Sequence, residues 1–151
     1  EAAALTAPSV APHKGHTAPD FPLQNLDGQP VNLDDLGGQV VMLNFWAVWC
    51  GFCRIEMPEI EAAYTTYHKQ GFVVLGINVG ERHDVVREFV EGMGLSFPIL
   101  LDGDTEVTSA YEIRGLPTSL FINQDGVIYA VHVGPLDKAS IERYLAQAGA
   151  Q

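Results

Sequence analysis

Residues 40–53 read Val40-Val41-Met42-Leu43-Asn44-Phe45-Trp46-Ala47-Val48-Trp49-Cys50-Gly51-Phe52-Cys53. The stretch Val40–Trp46 is a near-continuous apolar run, suited to a strand buried on both faces. A helical period follows it. Met57, Ile60, Tyr64 and Tyr67 recur at three- and four-residue spacing, which predicts a helix from about Cys50 to Lys69. Pro58 lies inside that helix and is expected to kink it. Cys50 therefore falls where a buried strand hands over to a helix. There a cysteine meets unpaired backbone N–H groups and the positive end of the helix dipole, and both favour the thiolate. Cys53 comes one turn later on the same face, within reach of the first sulfur.

The chain has 151 residues and two cysteines. A bridge between Cys50 and Cys53 closes too short a loop to staple a fold. A zinc site needs further ligands, and no second cysteine pair exists. The natural reading is a redox pair, in which a mixed disulfide formed on Cys50 is resolved internally by Cys53. The net charge of −11 argues against nucleic acid, whose phosphates demand a basic surface. It also disfavours a direct hold on anionic lipid. No run approaches the roughly 18 apolar residues of a membrane span.

Outward from the motif, residues 1–20 are rich in Ala and Pro and show no period, so a flexible tether is expected there, with a single domain over 21–151. The tether has no cationic start and no long apolar run, so any export signal or anchor would lie upstream of Glu1. Phe21–Leu26, Asp27-Gly28 and Val31–Leu33 read as a hairpin. Phe72–Val79 is a second buried strand. Asp84 is the expected cap of a helix whose face holds Val85, Val86, Phe89, Val90 and Met93. A short strand at Ile99–Leu101 and a short helix at Asp104–Tyr111 come next. The segments Thr118–Ile122 and Val127–Val133 flank a turn at residues 123–126, and a last helix carries Ile141, Tyr144, Leu145 and Ala148. This order predicts an α/β fold with a mixed central sheet and helices on both faces.

In open parallel sheets, reactive groups gather beyond the carboxyl ends of the strands. Glu81 follows the Phe72–Val79 strand and should reach the same edge as Cys50. An antiparallel strand begins where parallel ones end, so Pro117, just before Thr118, should reach it too. Among other candidates, Trp46 belongs to the core and Trp49 to the rim of the site. His13 and His16 read as parts of a solvated tail, and His68, His83 and His132 as surface or satisfied residues. Glu56 stays open between a solvated helix acid and a structural acid tied to the motif.

Residues 45–53 with Glu56 and Pro58, together with Ala18-Pro19-Asp20-Phe21, Asn78-Val79-Gly80-Glu81 and Gly115-Leu116-Pro117-Thr118, resemble the TlpA/ResA-like branch of the thioredoxin superfamily. The resemblance implies a thioredoxin-like fold with an added N-terminal hairpin, and a bacterial extracytoplasmic protein tethered by an N-terminal anchor. It implies reduction of client disulfides, notably in apocytochrome c or in proteins of copper-site assembly. Electrons would come from a transmembrane donor, and no prosthetic group is required. By position, Cys50 becomes the nucleophile, Cys53 the resolving thiol, Pro117 a cis-proline facing them and Glu81 an active-site carboxyl. Trp49 at the rim, Phe52 by analogy with exposed aromatics at interfaces, and Leu116 are the expected client-docking residues. Family members often carry proline at the position of Phe52, so the redox potential is not inherited. A disulfide oxidase or isomerase, or a Cu(I) module using the same two thiolates, are the rival readings, and a peroxidase is weaker than either.

Overall fold

A computed structural model describes residues 8–149. Its elements run β1 (Pro22–Asn25), β2 (Pro30–Asn32), β3 (Val40–Trp46), α1 (Gly51–Tyr67), β4 (Phe72–Val79), α2 (His83–Met93), β5 (Ile99–Asp102), α3 (Glu106–Ala110), β6 (Thr118–Ile122), β7 (Ile128–Val133) and α4 (Lys138–Ala148). The strands form one sheet in the order β2-β1-β5-β4-β3-β6-β7. β3 pairs parallel with β4, and β4 with β5, whereas β6 runs antiparallel to β3. This is the mixed α/β sheet that the order of elements predicts, and the hairpin β1–β2 extends it at one edge through β5. At the turn of that hairpin, Gly28 has a φ of +80°, a left-handed conformation that glycine adopts at no steric cost. Asn25 Oδ1 closes the same turn by accepting the N–H groups of Asp27 and Gln29.

Strand alternation divides β3 between two cores. Met42 and Trp46 face a layer containing Met57, Ile60 and Ala63 of α1, Val86 and Val90 of α2, and Ile141 of α4. Val41, Leu43 and Phe45 face the other side, where Tyr111, Leu33 and Phe21 cover the sheet. Asn44 shares its face with Met42 and Trp46, and so lies beneath α1.

Two expectations are revised. Asp84 does not cap α2. Arg82 occupies the N-cap position without a side-chain cap, and Asp84, inside the first turn, pairs with its guanidinium. The helix starts one residue before Asp84, so its carboxyl lies past the capping position. The second concerns the expected tether, of which residues 1–7 lie outside the described residues. From Ser9 to Ala18 the chain is laid against the β6–β7 turn. Gly15 N donates to Ile128 O, Ile128 N to His16 O and Ala18 N to Gly126 O. Ala18 is buried. These are backbone bonds, which need no side-chain period and so leave no trace in a pattern of apolar residues.

Candidate active site

Four segments meet at the carboxyl ends of β3 and β4. The turn 47–50 leaves β3 and delivers Cys50 as the N-cap of α1, where its sulfur accepts the N–H of Cys53 at 3.2 Å. The Cys50 thiol also lies 3.7 Å from Leu116 O, to which it donates. The Leu116–Pro117 peptide bond is cis, and Pro117 O accepts from Gly134 N at the end of β7. Both cysteines are free thiols. Cys50 is 4% exposed and Cys53 0%, so the first sulfur stands at the opening and the second behind it.

The environment separates them chemically. Burial pushes the Cys53 thiol far above the usual range, its hydrogen bond with Cys50 adds to this, and the charges of Cys50 and Glu56 add further. Cys53 therefore holds its proton at neutral pH and needs a base to release it.

Glu56 is that candidate base. It lies one turn beyond Cys53 and is buried beneath α1. Its Oε1 accepts Asn44 Nδ2 at 2.6 Å and its Oε2 accepts Leu136 N at 2.9 Å. Burial raises its pKa to about 7, against the lowering effect of those two donors. Its burial and its two donors rule out the solvated acid and bear out the structural acid tied to the motif, and the raised pKa also suits it to exchange a proton near neutrality. The signal in the sequence was Asn44, a polar residue in an apolar strand on the face beneath α1.

Glu81 reaches the same edge and engages the backbone of the motif. Its Oε1 accepts Val48 N at 2.7 Å and Asn78 Nδ2 at 2.8 Å. The carboxyl is thus fastened to the turn two residues before the nucleophile.

Around the opening, Trp49 is 73% exposed, Phe52 61% and Ile55 66%. Isolated exposed apolar residues are ordinary, but three of them at i, i+3 and i+6 form a ridge running from the nucleophile along α1. Leu116 is half-buried beside them. The three histidines expected to be satisfied each have a partner: His68 Nδ1 with Tyr64 O, His83 Nε2 with Leu26 O, and His132 Nδ1 with Tyr144 Oη. Among the described residues no group of three or more His, Cys, Asp or Glu is placed to hold a metal ion. No helix among them is long and apolar enough to cross a membrane.

Comparison with known proteins agrees with this chemistry. Residues 14–131 match the AhpC/TSA family. The thiol–disulfide oxidoreductase ResA of Geobacillus kaustophilus is 43% identical over 131 residues, covering 87% of this chain and 75% of that protein. A thiol:disulfide interchange protein of the thioredoxin family from Chlorobium tepidum superposes with a TM-score of 0.80 at 32% identity, over 87% of this chain and 94% of that one. The exposed lipoprotein thioredoxin Etrx1 of Streptococcus pneumoniae gives a TM-score of 0.76 at 28% identity, over 85% and 99% of the two chains. A dithiol split between a helix cap and its buried partner, on a thioredoxin-like sheet and with these relatives, makes this chain a member of the AhpC/TSA family and, within it, of the ResA-like thiol–disulfide oxidoreductases.

Proposed function

We propose that the protein works outside the cytoplasm as a reductase of client disulfides, with apocytochrome c or proteins of copper-site assembly as its client class, and that it is recharged by a transmembrane dithiol donor. The observation that carries the reading is the asymmetry of the two sulfurs, one at the opening and accepting the Cys53 N–H, the other fully buried one turn before the buried Glu56 carboxyl. The exposed placement named for the pneumococcal lipoprotein supports the compartment.

The cycle balances as follows. The Cys50 thiolate attacks one sulfur of the client disulfide, forming a mixed disulfide and releasing a client thiolate. Cys53 then passes its proton to the Glu56 carboxylate, and its sulfur attacks Cys50 Sγ. The Cys50–Cys53 disulfide forms and the second client thiolate leaves, taking up a proton. The client gains two electrons, and an external dithiol restores the protein by the reverse exchange. Pro117 presents no N–H beside the sulfurs, which leaves the neighbouring backbone free to pair with an extended client segment. Trp49, Phe52 and Leu116 supply the apolar surface for that segment. Glu81 positions the turn that carries Cys50.

The test is the reduction potential together with trapping. A value near the −270 mV of thioredoxin supports a reductase, and one near the −120 mV of strong oxidants overturns it. Clients captured as mixed disulfides on Cys53→Ser, identified by mass spectrometry, name the class.

A further inference from the structure

Asn44 is a costly residue for its place. It is buried in the middle of an apolar strand, and a buried amide is tolerated only where its polar atoms are used. Its Nδ2 donates twice, to Glu56 Oε1 at 2.6 Å and to Ser119 Oγ at 3.0 Å. Its Oδ1 is buried with no partner. Ser119 is itself fully buried, is the cross-strand partner of Asn44 and lies two residues beyond Pro117. One side chain thus joins the strand that delivers Cys50, the helix that carries Cys53 and the strand that begins at Pro117.

We propose that Asn44 is the positioning residue of the proton exchange at Cys53, holding the Glu56 carboxyl beneath α1 in its ionisable form, with Ser119 fixing the amide. The inference rests on the role given to Glu56 above. An N–H aimed at a carboxyl favours its charged form, and a donor to a charged group is worth more than a neutral one. The amide orientation goes with the charged form: turned over, Oδ1 would face the ionised carboxylate and Glu56 would lose the donor. The unpartnered Oδ1 is the cost of that arrangement. The other groups facing Glu56 are Leu136 N, from the loop before α4, and Cys53 on its own helix. His132, the β7 partner of Ser119, is engaged with Tyr144 Oη. Among the described residues no cation pairs with Glu56, and there the two N–H groups supply the stabilisation of its charge.

The experiment follows the Glu56 carboxyl carbon by NMR titration of the full chain, alongside the pH dependence of resolution of a mixed disulfide on Cys50. Asn44→Leu, of similar volume and without donors, should raise the Glu56 midpoint by about one pH unit, tenfold in proton affinity, and carry the pH profile of resolution with it. Ser119→Ala should move both by a smaller amount. In a Glu56→Gln background, Asn44→Leu should produce no further change in the profile, which a merely structural loss would not predict. Should Asn44→Leu fail to fold, Asn44→Ser, whose hydroxyl is too short to reach, carries the same expectation. An unmoved Glu56 midpoint overturns the inference. If instead the midpoint moves but Glu56→Gln leaves the profile of resolution intact, the role of Glu56 in the exchange is wrong, and the part given to Asn44 falls with it.

Discussion

Glu81 Oε1 accepts the backbone N–H of Val48, two residues before Cys50, at 2.7 Å. The same oxygen takes Asn78 Nδ2, so one carboxyl joins the end of β4 to the turn that leaves β3. The contacts it makes at this site are accepted hydrogen bonds. Glu81→Gln retains an acceptor oxygen, whereas Glu81→Ala leaves two donors without a partner, at about 1–3 kcal/mol for each buried group. Turnover of Glu81→Gln should therefore stay within about threefold of the parent, and Glu81→Ala should fall by tenfold or more. A Gln variant as inactive as the Ala variant would return Glu81 to acid–base chemistry.

The two sulfurs should alkylate at very different rates. Cys53 is fully buried and held protonated, so iodoacetamide at pH 7 should label Cys50 at least tenfold faster, as read by peptide mass mapping. Cys53→Ser should accumulate mixed disulfides with clients, and Cys50→Ser should form none. Equal labelling with trapping on Cys53 would reverse the assignment.

Stability should fall as pH rises through the weakly acid range. The folded-state pKa of Glu56 is raised from 4.5 to about 7, so between those values the folded chain binds more protons than the unfolded one. The stability slope with pH is then negative, flat below about 4.5 and flat again above about 7. The contribution lost across that window is on the order of 3 kcal/mol, at 1.36 kcal/mol per pKa unit. Urea unfolding at several pH values measures it, and Glu56→Gln should remove this component of the slope.

The exposed ridge should govern client affinity and leave the chemistry of the sulfurs alone. Trp49→Ala with Phe52→Ser should raise KM for a protein disulfide by about tenfold, in line with the loss of one or two apolar anchors. Exchange with a small aliphatic disulfide should be unchanged. A matching loss on both substrates would place these side chains in the support of the motif.

Gly76 predicts a packing effect remote from the sulfurs. A methyl group there would meet Phe97 at 2.9 Å, Ile99 at 3.0 Å and Trp46 Nε1 at 3.3 Å. Gly76→Ala should cost about 1–3 kcal/mol of stability by overpacking, while the alkylation rate of Cys50 stays within about twofold.

The sequence was most legible where burial is two-sided. β3, β4 and β6 begin and end where their apolar runs do, because the apolar residues of those runs answer to one core or the other. The convergence of Cys50, Glu81 and Pro117 could be read from strand direction alone. What the run of letters hides is pairing between distant polar groups. Asn44 and Glu56 are twelve residues apart, and neither carries a mark of the other, although the alternation of β3 places Asn44 on the face that α1 covers. The docking of Ser9–Ala18 escaped for a related reason, since backbone bonds are indifferent to side-chain type. Asp84 is no cap because α2 begins at His83, and an acid in the first turn reads the same in sequence as one at the cap.

The bonds that fasten Ser9–Ala18 to the β6–β7 turn also fix an orientation. Pro8 O accepts from Thr17 Oγ1, and Thr17 bridges to Val127, so the chain enters the fold at the end of β6 remote from Pro117. The length of that strand, Thr118 to Ile122, separates the point of entry from the sulfurs, about 13–17 Å at 3.3 Å per residue. The same segment does not stay at that end: Pro12, His13 and Lys14 line one cavity with Gly115, Thr118 and Val133, so the stretch before β1 ties the β6–β7 turn to the loop that carries Pro117, and a pull on Ser9–Ala18 loads both ends of β6.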